Sequence, residues 1–260
     1  MSITKEEITG VKARGFLLNK GTECFSGRVV SVAGCFSPDE LRALAACAET
    51  YGNGRVLFTS RLSAEVVGIP YDKIPEAEAF MAKHGLSFGG TGAKVRPITA
   101  CKGTTCIFGI IDTQALARVI HERFYIGMAD VKLPHKFKIS VGGCPHSCMK
   151  PSLNDVGIEG GRMLDPVTKE GRSVCRIYVG GTWGKTKRMG TLLDTVCTEA
   201  EAPDIIEKVM LWYKENGYVK ERLGMTLDRL GKEALEAALA TDDLLLRKEE
   251  ILAKPLLEKQ

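Results

Sequence analysis

Apolar and polar positions change rhythm several times along the chain, and each change marks an element. After a short polar leader, residues 22–32 read as a strand. Ser37-Pro38-Asp39-Glu40 then opens a helix. Its serine and glutamate form a capping box, proline sits in the first turn, and the helical rhythm lasts to about Tyr51. Residues 55–60 and 65–69 read as two further strands, and a helix from about Pro75 to His84 is closed by Gly85. The pattern predicts a compact β-α-β-β-α unit.

From Gly89 the texture shifts to glycine-rich loops and short strands. The succession is a strand at 94–100, a cysteine-containing turn, a helix from Asp112 to about Tyr125, a strand at 136–141 and a second cysteine turn. Strand-like stretches return at 156–159 and 174–180, and the chain turns helical from Pro203. Alternating strands and helices predict α/β layering. The class expected for the whole chain is α+β, with parts at 1–88, 89–202 and 203–260. The tail, DDLLLRKEEILAKPLLEKQ, is amphipathic and charged, as a peripheral helix or a partner arm would be. No repeat recurs at a solenoid period. Within 136–139 the period is two. Lys136 and Lys138 share one face of the strand and Phe137 and Ile139 the other, so two ammonium groups point together, toward a cavity or toward solvent.

With 260 residues, 44% hydrophobic and 26% charged, the chain can build one large or two modest cores. No run approaches the roughly 20 apolar residues of a membrane helix. The start, MSITKEEITG, carries acids where an export signal is basic and then apolar, so a cytoplasmic protein with no membrane partner is expected. Nine cysteines, an odd number, then argue for reduced thiols over a disulfide framework. The net charge of +4 is unevenly spread: residues 94–188 hold 16 basic and 7 acidic side chains, 1–93 balance, and 189–260 are acidic. The basic block has few aromatics and interleaves its charges with cysteine and glycine. A buried anionic ligand fits it better than nucleic acid.

Cys101 and Cys106 in CKGTTC, and Cys144 and Cys148 in GGCPHSC, form two tight pairs, each in a turn directly after a strand. Two such turns can meet at one sheet edge, where a metal can be reached. Four thiolates suit a 4Fe-4S cluster; a four-cysteine zinc site uses similar spacings; unconnected thiols are the third reading. Cys24, Cys35, Cys47, Cys175 and Cys197 lie in apolar patterns and read as small buried hydrophobes. Basic residues precede both turns, Arg96 the first and Lys138 the second. In YVGGTWGKT, residues 178–186, a strand ends in a glycine-rich loop. Gly180 and Gly181 permit close backbone approach by a ligand, and Lys185, Lys187 and Arg188 suit carboxylates, although a plain basic loop has the same composition. A phosphate-binding P-loop is excluded, because it needs glycine at 179, which is valine, and a helix after Thr186.

Taken together, RPITACKGTTC, LPHKFK, GGCPHSC with Lys150 after it, and YVGG followed by GK resemble the siroheme-dependent sulfite and nitrite reductases, above all the small, single-repeat catalytic subunits of anaerobic sulfite reductases. The resemblance runs from about Arg28 to Arg222. It implies a ferredoxin-like half-domain, then an α/β domain for siroheme and a 4Fe-4S cluster, then C-terminal helices. By the same resemblance, Cys101, Cys106, Cys144 and Cys148 would hold the cluster, and Cys148 would also bridge to the siroheme iron. Arg28, Arg96, Lys136 and Lys138 would hold a small oxyanion, sulfite first and nitrite as the alternative. Arg61, Gly180, Gly181, Lys185, Lys187 and Arg188 would contact siroheme.

The sequence departs from the family pattern twice. Four residues separate Cys101 from Cys106 where many members have five, and Leu62 stands where glutamine is usual. No inserted ferredoxin segment follows the second pair, so a separate electron-donor protein is expected. Larger members carry two tandem copies with the site at their interface, which implies a homodimer or pairing with a related chain. The rival classes are a zinc-stabilised binding module and a non-enzymatic iron-sulfur protein.

Overall fold

The computed structural model describes residues 3–259 except 166 and 168. The chain divides into two compact units, one ending at Gly92 and one beginning at Ala93, and residues 203–259 belong to the second.

In the first unit, α1 (Lys5–Ala13), β1 (Phe16–Leu18), β2 (Cys24–Val29), α2 (Pro38–Tyr51), β3 (Val56–Phe58), β4 (Ala64–Pro70) and α3 (Ile74–Lys83) follow one another. The strands form an antiparallel sheet in the order β1-β2-β4-β3. Phe16, Phe25, Val29, Val66 and Ile69 of the sheet and Leu44, Cys47, Ile74 and Met81 of the helices make one buried core. Burial pushes the Cys47 thiol up to about 11, as for a small hydrophobe. The capping box that opens α2 is present in both directions: Glu40 N–H donates to Ser37 Oγ at 3.2 Å and Ser37 N–H to the Glu40 carboxylate at 2.6 Å.

The polar leader proves to be a helix and a strand. Thr4 and Glu7 form a second capping box ahead of α1, but α1 buries only Val11, so its apolar rhythm is faint. One cysteine also departs from expectation. Cys35 is exposed, in a turn closed by the Val32–Cys35 bridge, rather than buried in an apolar pattern.

The second unit contains β5 (Thr99–Ala100), α4 (Thr113–Ile120), β6 (Ile139–Gly142), β7 (Val156–Leu164), β8 (Gly171–Val179), β9 (Thr191–Cys197), α5 (Ala202–Asn216), α6 (Leu223–Leu230), α7 (Lys232–Leu239), α8 (Asp243–Leu246) and α9 (Lys248–Ala253). One sheet runs β5-β6-β7-β8-β9, with the first three strands parallel and the last three antiparallel. Parallel neighbours need a long crossover. Between β5 and β6, α4 supplies it and continues as a π-helical turn, His121–Ile126. The strand expected over 94–100 shrinks to two paired residues, because its start touches the 136–138 segment through a single Val95–Phe137 bridge.

Helix α5 is buried on nearly every side and packs against α6, α7, α8 and α9. The tail folds back upon it. Leu244 and Ile251 are buried, and the Lys214 ammonium donates to the Lys254 carbonyl at 2.6 Å, so this segment is a packed peripheral helix pair and not an arm. Among the described residues no helix is long and apolar enough to cross a membrane. Ser37→Ala is expected to destabilise the first unit by about 1 kcal/mol. Urea unfolding should show a lower midpoint with an unchanged slope, and Ser37→Asp should retain most of the stability.

Candidate metal centre and anion site

The parallel pairing of β5 with β6 sets Thr99 beside Ser140 and Ala100 beside Val141. Both cysteine turns therefore leave the same end of adjacent strands. Three main-chain donors stitch them together: Cys101 N–H to the Val141 carbonyl at 3.2 Å, Ile110 N–H to the Gly143 carbonyl at 2.9 Å, and Gly143 N–H to Cys101 Sγ at 3.3 Å. Gly103 N–H donates to the same sulfur at 3.4 Å. A Cβ at Gly143 would stand 3.3 Å from Cys101 Sγ and from the Thr113 methyl, so a larger residue there would press on the cysteine turn.

All four cysteines of the two turns are free thiols, three half-buried and Cys148 exposed. Ser147 and Lys150 adopt left-handed backbone, φ 55° and 49°, on either side of Cys148. Backbone strain of this kind is held where the surroundings fix a site. Beside Cys144 opens a cavity of about 290 Å³, walled by Ile107, Phe108, Pro145, His146 and Arg162, with the Phe108 and His146 rings 4.5 Å apart. Among the described residues no three Cys, His, Asp or Glu side chains converge on the position of a single metal ion. Four cysteine sulfurs on two joined turns are the kind of donor set that a 4Fe-4S cluster takes. Two amide N–H groups already point at one sulfur, the kind of contact that tunes a bound cluster.

Three of the cationic candidates, Arg96, Lys136 and Lys138, gather at the opposite end of the same strands. Arg96 N–H donates to the Phe137 carbonyl at 2.8 Å, bringing Arg96 to the 136–138 segment. Phe137 and Ile139 are buried while Lys136 and Lys138 are half-buried, which is the alternation the sequence predicts. Phe137 stacks on Tyr213 of α5 with ring centroids 6.0 Å apart. Burial lowers the Lys136 ammonium below the ordinary lysine value, and the Arg222 and Arg96 guanidiniums lower it further. Burial, Arg222, Lys136 and Arg96 push His135 down to about 4. His135 is thus a neutral imidazole, and its Nδ1 accepts the Lys136 N–H at 2.7 Å. Sequence reasoning passed over Asp155 and Arg222, which also meet here; they lie far from the segment in the chain and belong to none of the motifs.

The cysteine turns and the lysines do not converge within one chain. Lys138 enters β6 and Cys144 lies beyond its end, so the four-residue strand, roughly 13 Å of rise, separates them.

The glycine-rich loop is largely occupied by the chain itself. A Cβ on Gly180 would meet Gly224 Cα at 2.8 Å, and one on Gly181 the Ser152 carbonyl oxygen at 2.3 Å. Both glycines therefore permit close internal backbone packing. Arg188 binds the Asp228 carboxylate at 2.6 Å and the Gly180 carbonyl at 3.2 Å. Lys185 and Lys187 are exposed, with the Lys187 ammonium 5.2 Å from the Trp183 ring centre. In the first unit Arg28 pairs with Glu65 at 2.6 Å, directly across the β2–β4 ladder, and Arg61 is half-buried in the turn before β4. Of the remaining cysteines, Cys175 and Cys197 face each other across β8 and β9, both buried, and Cys24 is half-buried.

Residues 91–244 match the family described as nitrite and sulphite reductase 4Fe-4S domain, and residues 17–84 match the nitrite/sulfite reductase ferredoxin-like half domain. The chain belongs to the nitrite and sulphite reductase family. It is 29% identical over 208 residues to an assimilatory-type sulfite reductase of Nitratidesulfovibrio vulgaris, covering 79% of this chain and 88% of that one. It is 28% identical over 211 residues to an NAD(P)H nitrite reductase of Bacillus subtilis, covering 79% of this chain and 24% of that one. Two relatives from Methanocaldococcus jannaschii are matched over 50% and 20% of their lengths, so the chain spans half or less of several curated relatives. In fold it superposes on the NirA protein of Mycobacterium tuberculosis with a TM-score of 0.78, at 19% identity, over 100% of this chain and 49% of that one. Dissimilatory sulfite reductase I superposes with a TM-score of 0.73, at 18% identity, over 89% of this chain and 71% of that one. The ferredoxin-like half-domain and the α+β class expected from the sequence are thereby borne out.

Cys144→Ser is expected to remove most of the iron and acid-labile sulfide from anaerobically purified protein, whereas Cys175→Ser leaves both at the level of the unaltered chain. Equal iron and sulfide in the Cys144→Ser protein would end the ligand assignment.

Proposed function

We propose that this chain is the catalytic polypeptide of a siroheme and 4Fe-4S oxidoreductase that reduces sulfite to sulfide in the cytoplasm, with electrons from a separate donor protein. The observation that carries this reading is the pair of cysteine turns joined at one sheet edge, with two amide groups donating to Cys101 Sγ. Cys101, Cys106, Cys144 and Cys148 would hold the cluster, and Cys148 would share its sulfur with siroheme. When bound, siroheme would supply a reducible iron for the sulfur lone pair and the cluster would supply electrons.

The chain's own residues have the remaining work. Each departing oxygen leaves as water and needs protons as well as neutralised charge. Arg96, Lys136 and Lys138 would grip the anion through charge-assisted hydrogen bonds. The lowered Lys136 ammonium is the better proton donor of an acid-base pair working near neutrality. Arg28 is proposed as a fourth contact on the resemblance. Arg61, Gly180, Gly181, Lys185, Lys187 and Arg188 are proposed toward siroheme on the same ground. For the exposed Lys185 and Lys187 the structure is compatible with a carboxylate ligand; Arg188 would first have to leave Asp228.

The separation of lysines and cysteines along β6 supports an assembly in which a second copy, or a related chain, brings its cysteine turns to the lysines of the first. Nitrite, also a small anion, is the alternative substrate; turnover of each anion with a low-potential donor decides between them. Lys136→Ala and Lys138→Ala are expected to keep the siroheme and cluster absorption while losing about 100-fold or more in sulfite turnover. Full turnover in both variants refutes the role of the lysines. Mixing Lys138→Ala chains with Cys144→Ser chains, each inactive alone, should restore part of the activity if sites form between copies; no recovery after subunit exchange, with sedimentation showing a monomer, contradicts that assembly.

A further inference from the structure

The lysine segment is held by a second layer of groups that neither the cluster nor the glycine-rich loop uses. Asp155, fully buried just before β7, accepts the Lys138 N–H at 2.8 Å, and Val156 N–H donates to the Lys138 carbonyl at 3.0 Å. Lys138 is thus pinned from both sides of its peptide by two consecutive residues. Arg222, at the N-cap of α6, donates through Nε and Nη2 to the same carboxylate at 2.8 to 3.2 Å.

The loop between α5 and α6 presses on the segment at further points. Lys220 N–H donates to the Pro134 carbonyl at 2.9 Å with Lys220 in left-handed backbone, φ 69°, and the Tyr213 hydroxyl donates to the Glu221 carbonyl at 2.5 Å. The Glu221 carboxylate accepts from Tyr218 N–H, Thr226 Oγ1 and Arg229, which fixes the loop ahead of Arg222.

We infer that Asp155 and Arg222 are positioning residues for the anion site, a buried pair that aims Lys136 and Lys138 and sets the positive charge they present. The inference rests on the proposed role of those lysines. A pair kept only for stability has no need to end on the amide of a substrate lysine, and a buried ion pair is weak evidence for stability in any case. Three cations, Arg96, Lys136 and Arg222, crowd the segment together with neutral His135, and Asp155 is the carboxylate that raises the Lys136 ammonium against them. Burial pushes Asp155 upward while Arg222 and the Lys138 amide pull it back, so the buried carboxylate depends on the contact.

The test uses the cofactor-loaded chain with Asp155→Asn, which is isosteric, and with Arg222→Lys, which keeps the charge and loses the fork. In Asp155→Asn the expected result is unchanged iron content, exchange of the Lys138 amide hydrogen about tenfold faster or more, and a kcat for sulfite lowered about tenfold. KM should not rise, because removing an anion strengthens the field that holds the substrate. Arg222→Lys should share the loss of kcat, and if Asp155→Asn does not fold it carries the same amide readout. Unchanged Lys138 exchange, or a raised KM with kcat intact, overturns the positioning role. Amide exchange needs no turnover, so this inference fails or stands separately from the sulfite reading, which falls if Lys136→Ala and Lys138→Ala remain fully active.

Discussion

The pairing of Thr99 and Ala100 with Ser140 and Val141 is short, yet both candidate sites depend on it. Because β5 and β6 run parallel, whatever precedes them meets at one end and whatever follows meets at the other. Arg96 and the lysine segment come together at the entrance, and the two cysteine turns at the exit. An antiparallel pair would have placed a cysteine turn beside a lysine and broken both groupings. The turns add their own ties through Gly143 and Cys101, so the geometry is reinforced where the ladder is shortest.

Electrostatics complete what the sheet begins. A concentration of guanidinium and ammonium groups around residues 135–138 is self-repelling, and burial makes each charge costlier. The chain tolerates it by setting one fully buried carboxylate beneath the strand and returning Arg222 from the C-terminal helices to pair with it. Those helices therefore have a function beyond covering the sheet. Tyr213 backs Phe137, the α5–α6 loop grips Pro134, and the amphipathic tail in turn closes over α5.

Much of this was legible in the sequence because it is local. The Ser37–Glu40 box, the alternation of Lys136, Phe137, Lys138 and Ile139, and the cysteine spacings each lie within a few residues, and the structure keeps all of them. Helix α1 is barely legible although its Thr4–Glu7 box is equally local, since a helix burying one side chain gives almost no apolar rhythm. Strand β9 followed a loop so polar that its own half-exposed pattern did not register. Asp155 and Arg222 lie 67 positions apart and could not be paired by any local rule. The glycines of residues 180–181 show the converse: glycine signals close approach, but the sequence does not say whether a ligand or the chain's own Gly224 and Ser152 approaches.

Strand β6 also acts as a ruler between two kinds of chemistry. Its residues are buried on both faces, so its length cannot drift without cost. Inserting one residue would either turn Phe137 and Ile139 outward and rotate the ammonium groups toward the core, or shift the second cysteine turn out of step with the first, according to which side of the strand keeps its pairing. The distance from charge to sulfur is consequently a quantised property of the sheet, changeable by exchanging whole segments and resistant to single insertions.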